Sequence, residues 1–116
     1  DIYLKNLSKN PNIICIHDHD KKKKSAAWLF TILTKKKDYL QKKLREKNIE
    51  TNQVHFRNDK YSIFKKFAKN KKFINMNLVE EKYLVLPIHT KMKINDAIFI
   101  AQQINKIIPF KEMKIK

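Results

Sequence analysis

Not one of the 116 residues is glycine, and that absence narrows both the backbone shapes and the chemistry open to the chain. Loops that wrap a phosphate need residues without a side chain, so that backbone N–H groups can close on the anion. The sequence therefore predicts that no phosphate cradle forms within these residues. A left-handed stop after a helix must also come from elsewhere. Asn48 follows a helix-forming stretch and offers one, since asparagine tolerates the left-handed conformation usually given to glycine.

A chain of 116 residues has the size of one ordinary domain, able to bury roughly two-thirds of the surface its unfolded form exposes. The first residue is Asp1, and residues 2–7 read as the tail of a helix, with Tyr3 and Leu7 four apart on one face. The expectation is a segment cut from something longer, with residues 1–10 ending a connecting helix and residues 11–116 forming a small α/β domain. No apolar run approaches the roughly 18 residues of a membrane span, and no apolar signal segment follows a basic start. A soluble, cytoplasmic setting is the expectation. Cys15, the sole cysteine, lies among Ile13, Ile14 and Ile16 and reads as a small packing residue.

The formal net charge of +16 raises a nucleic-acid reading, because lysine and arginine bind phosphates with release of counterions. All 27 basic residues except Arg45 and Arg57 are lysine, although arginine is the better fork for phosphates and base edges. Lysine, asparagine and isoleucine are abundant while glycine, alanine and proline are scarce, as an AT-biased codon supply would produce. The lysines therefore read first as a solvated surface, and a stand-alone basic module binding RNA or acidic partners is the alternative.

Along the chain, Asn10-Pro11 ends the first helix and residues 12–17 read as a short isoleucine-rich strand. Residues 18–24 form a charged connection. Residues 27–34, with Trp28, Leu29, Phe30, Ile32 and Leu33, read as a central strand placing Trp28 and Phe30 on one face beneath a helix. Asp38 is expected to cap a helix that puts Leu40 and Leu44 on one face and ends by Asn48. Residues 50–56 read as another strand, Gln53 and His55 on one face, Val54 and Phe56 on the other. Tyr61, Phe64 and Phe67 recur at a spacing of three, predicting a short helix laid on the core. Residues 75–81 are either loop or a helical turn, residues 83–86 are a fourth strand ended by Pro87, and Asn95 or Asp96 caps a last helix reaching Ile108. Ala97, Ile98, Ala101, Ile104 and Ile108 form its buried stripe. The fold class is an α/β two-layer sandwich of about four mostly antiparallel or mixed strands, with helices on one face.

Three blocks in fixed order, SAAWLFTIL from Ser25, VHFRNDKYSIF from Val54 and KYLVLPIHT from Lys82, resemble the C-terminal part of DegT/DnrJ-type sugar aminotransferases. The resemblance spans residues 25–104, with residues 54–61 its most specific piece. It implies the small C-terminal domain of a fold-type I pyridoxal-phosphate enzyme. The branch resembled acts on GDP-linked 4-keto-6-deoxy sugars, as perosamine synthases do, with glutamate as donor and active sites formed in a homodimer. Two positions depart from the pattern: Asn48 stands where the family commonly has glycine, and Lys93 where a serine or threonine caps a helix.

Transamination needs a Schiff-base lysine, an acidic partner for the pyridine nitrogen and a phosphate cup. None is identifiable in these residues, so no catalytic or cofactor-binding residue is assigned; the resemblance implies that the missing large domain binds pyridoxal phosphate. What the resemblance leaves to this part is substrate contact. His55 and Arg57 follow a strand end, from which an imidazole and a guanidinium can meet a diphosphate or a sugar hydroxyl, with Arg57 favoured for its bidentate geometry. The alternative is structural, with His55 capping the strand and Arg57 pairing with Asp59. His89, after Leu86-Pro87-Ile88, either reaches a domain interface or satisfies loop carbonyls. The His17-Asp18-His19-Asp20 run lacks further ligands at zinc spacing and leads into four lysines, so it reads as a solvated loop. Ser25 and Thr90 have no base partner for a hydrolase triad.

Overall fold

The computed structural model describes residues 2–17 and 22–110. Helix α1 spans Ile2–Leu7, strand β1 Ile14–Ile16, strand β2 Phe30–Leu33, helix α2 Lys37–Arg45, the short helices α3 Lys65–Ala68 and α4 Ile74–Glu80, strand β3 Tyr83–Leu86 and helix α5 Ile94–Ile107. The three strands form one antiparallel sheet in the order β1-β2-β3, so β2 holds the central place its apolar sequence led one to expect. The register pairs Cys15 with Ile32 and Ile32 with Leu84, while Phe30 faces Leu86. Directly opposed residues share a face, and this face meets the helices. Ile32, Leu84 and Leu86 are buried there with Tyr3 and Leu7 of α1, Leu40 and Leu44 of α2, and Ile100, Ala101 and Ile104 of α5. The expected α/β layering, with the core beneath helices on one face, is the observed one.

The N-terminal helix belongs to this core. Tyr3 Oη donates to the Pro87 carbonyl at 2.8 Å, and its ring lies 5.1 Å from that of Phe30. Burial, with the Asp96 charge adding to it, pushes the Tyr3 phenol far above its ordinary range, so it stays a donor. Asn10 Nδ2 donates to Asn105 Oδ1 at 2.9 Å and to the Ile108 carbonyl at 2.7 Å, while Asn105 Nδ2 donates to the Asn6 carbonyl at 3.0 Å. A helix of six residues has no independent stability in water. These amide bridges and the packing of α1 on α5 supply it. Cys15 is half-buried against the core, and burial raises its thiol pKa, in keeping with a packing role.

Three expected elements differ. Residues 50–56 contribute a single bridge, Asn52 to Val85, in place of a fourth strand. Gln53 and His55 therefore have no ladder to hold them, and alternation on this segment does not sort core from solvent. Tyr61, Phe64 and Phe67 were expected on the core, but all three are exposed, because two 3-10 turns at Asn58–Lys60 and Ser62–Phe64 break the helical period before α3 begins. Trp28 lies ahead of β2, not in it. Ala27 adopts a left-handed φ of 51° and bends the chain, so only Phe30 reaches the core side.

The helix ends show how the chain manages without glycine. Positive φ occurs, among the described residues, at Asn48 (58°), Asn70 (64°) and Ala27 (51°). Asn48 N–H donates to the Arg45 carbonyl and Ile49 N–H to the Leu44 carbonyl, both at 3.0 Å, the paired bonds of a Schellman stop. Leu44 and Ile49 are both in the core, completing the motif's apolar contact. Asp38 sits in the first turn of α2 instead of capping it. At α5 the cap position is Lys93, and Asp96 closes the turn from inside, its carboxylate accepting from Lys93 N–H at 2.9 Å. No helix among the described residues is long and apolar enough to cross a membrane.

Candidate functional site

The segment between the Asn52 bridge and α4 carries the residues singled out by the sequence. Arg57 is 7% exposed and each of its guanidinium nitrogens donates a hydrogen bond. Nε donates to Asp59 Oδ1 at 2.9 Å and Nη2 to Asp59 Oδ2 at 2.6 Å, a bidentate fork. Nη1 donates to Asn77 Oδ1 and to Glu80 Oε2, the latter at 3.3 Å. Lys60 Nζ donates to both Glu80 oxygens, at 2.8 and 2.7 Å. The cluster joins a loop made of 3-10 turns to α4, and Lys37 Nζ ties α4 to α2 by donating to the Glu80 carbonyl at 3.2 Å.

The electrostatics follow from these contacts. The hydrogen bonds from Arg57 hold the Asp59 carboxyl below its ordinary pKa. Glu80 is lowered by its hydrogen bond from Lys60 first, then by Arg57. Arg57 is raised, chiefly by Asp59, and stays charged at any pH the fold survives. Asn77 and Glu80 escape a reading of the sequence centred on residues 54–61. The signal available is their i, i+3 spacing, which puts both on one face if residues 74–80 are helical.

His55, two residues earlier, is exposed and unconstrained by a strand. Its ring lies 5.9 Å from that of Trp28, at 69°, an edge-on contact between segments far apart in sequence. His55 and Arg57 both line an open hollow of about 580 Å³ walled by Phe56, Phe64, Phe67 and Phe73, with Lys71 also on its lining. The fold thus brings the two sequence-predicted residues to one hollow, with different surroundings. The guanidinium shapes its wall while the imidazole is open to ligands. His89 is exposed in the turn after β3, where its carbonyl accepts from Met92 N–H at 3.1 Å. Of the His17–Asp20 run, residues 18–20 lie outside the described residues.

Nothing in the described residues fits a pyridoxal phosphate. The N-terminus of α5, the longest helix, is closed by the Asp96 carboxylate, which would repel a phosphate. The first turn of α2 carries Asp38. No glycine loop is available to wrap the anion.

Two solved structures share this architecture. The aminotransferase TlmJ from Streptoalloteichus hindustanus superposes with a TM-score of 0.80 at 14% identity, over 90% of this chain and 28% of that one. Helicobacter pylori PseC, an aminotransferase involved in the biosynthesis of pseudoaminic acid, gives 0.78 at 21% identity, over 92% of this chain and 30% of that one. The fold is therefore that of part of an aminotransferase, and the chain spans under a third of these structures. The DegT/DnrJ/EryC1/StrS aminotransferase family matches over residues 1–105, and the chain belongs to it. That family is typically pyridoxal-phosphate-dependent. No curated protein matches the chain.

Proposed function

We propose that these residues are the C-terminal part of a pyridoxal-phosphate-dependent enzyme that moves an amino group from glutamate to a keto nucleotide-sugar of the GDP-4-keto-6-deoxy type. The supporting observation is the family match over residues 1–105 on a chain that spans under a third of the solved aminotransferases it resembles. In this reading residues 1–10 end a connecting helix and residues 11–116 form the small domain. The large domain holds pyridoxal phosphate, which supplies the electron sink for amino transfer. The protein works as a cytoplasmic homodimer serving cell-surface polysaccharide synthesis, and this segment alone is inactive.

His55 and Arg57 are the substrate-binding residues of this part. His55 contacts the sugar nucleotide directly, while Arg57 holds the wall of the hollow on which it lies. Exposed aliphatic side chains support a packing face toward the rest of the enzyme. Ile63 is 72% exposed, Ile74 63% and Leu78 53%, and such groups neither stack on bases nor pair with phosphates.

The test uses the longer protein with pyridoxal phosphate, glutamate and a panel of keto nucleotide-sugars. The expected product is an amino sugar from a GDP-4-keto-6-deoxy sugar. Absence of an aminated product across the panel would overturn the proposal.

A further inference from the structure

We propose that Trp28 is a substrate-contacting residue, its indole stacking on the sugar ring while the neighbouring His55 imidazole holds a hydroxyl. This deepens the aminotransferase reading and rests on it. Trp28 is the only tryptophan of the chain, and it is 70% exposed although it stands two residues before Phe30, which packs on the core. Simple continuation of β2 would put both rings on the buried side, because residues two apart on a strand share a face. The chain bends instead.

Ala27 takes the left-handed φ of 51° and Ser25 Oγ accepts its N–H at 3.0 Å. A residue with a Cβ is held in that region at a cost in free energy, a feature found where local shape serves a site. The bend turns the indole to His55, ring centroids 5.9 Å apart at 69°, leaving most of the indole surface uncovered. His55 also lines the hollow beside Arg57, so the indole stands against one of the residues of that wall.

The pairing selects a ligand chemistry. A pyranose presents a C–H face that gains dispersion and hydrophobic burial on a flat aromatic surface. Its rim carries hydroxyls, and an imidazole beside the stacking surface can hydrogen-bond to them. A nucleobase also stacks, but its edge needs several in-plane partners. Here the ring beside the indole is the His55 imidazole.

The experiment compares the longer wild-type protein with Trp28→Ala and Trp28→Phe. Binding of GDP-mannose and of GDP is measured by calorimetry, and kinetics with GDP-4-keto-6-deoxymannose and glutamate. Trp28→Ala is expected to weaken GDP-mannose binding and raise KM for the keto sugar about tenfold. Trp28→Phe should recover most of both. GDP binding and KM for glutamate should not change. An equal loss for GDP would place the nucleotide on the indole and overturn the sugar assignment. Unchanged GDP-mannose binding would overturn the contact itself, and a parallel shift in KM for glutamate or in melting temperature would reduce Trp28 to a packing residue. A wild type that binds GDP-mannose but aminates nothing would defeat the enzymatic reading, while the GDP-mannose to GDP comparison still decides Trp28.

Discussion

Arg57 carries the most densely connected side chain of the candidate site, and its neighbours define what replacing it should do. With Asp59, Asn77 and Glu80 all bound to one guanidinium, Arg57→Ala leaves Asp59 without its cation and Glu80 with Lys60 alone, and loosens the wall beside His55. In the longer protein this substitution should raise KM for the sugar nucleotide about tenfold with little effect on KM for glutamate. An unchanged KM would leave only a structural role. The same cluster sets an acid limit. Asp59 and Glu80 have folded pKa values lowered from the ordinary ones, so their contribution to stability is complete above the unfolded values of about 4. It is lost as pH falls through the lower folded values. Thermal unfolding followed from pH 7 to about pH 3 should show a steeper acid loss for wild type than for an Asp59→Asn, Glu80→Gln double variant. Parallel curves would mean the cluster contributes nothing.

Elements of this fold are short and stopped by specific residues, and α2 is the clearest case. Its Schellman stop needs a left-handed residue, and with glycine absent Asn48 supplies it at φ 58°. Asn48→Ala should lower stability by about 1 kcal/mol, the cost of placing a Cβ-bearing residue without asparagine's local hydrogen bonding in that region. Asn48→Gly should match or slightly exceed wild type. Denaturant unfolding of the three proteins checks this, and equal losses in both variants would exclude backbone conformation as the cause. The stop was legible because asparagine after a periodic apolar stretch has few other uses. The loss of the strand over residues 50–56 was not legible. Alternating residues describe a strand only if a partner edge accepts its hydrogen bonds, and here only Val85 does so.

At the scale of the molecule, one face of the sheet and three helices close a core, while the other side of β1 leaves Ile14 and Ile16 exposed at 60% and 51%. The sequence by itself determined α1, the last helix, the central place of β2 and the α/β layering, because apolar periodicity, proline and asparagine act over a few neighbouring residues. The resemblance of three ordered blocks also identified the family. Only the tertiary structure decided that Trp28 faces out to His55, that Asn77 and Glu80 complete the Arg57 cluster, and that the aromatic residues 61–67 stay off the core. The physical reason is that each of these depends on contacts between segments distant in the chain. A side chain's local pattern records that it is apolar or charged, but which partner it meets is set by where the backbone bends and which edges are free to pair.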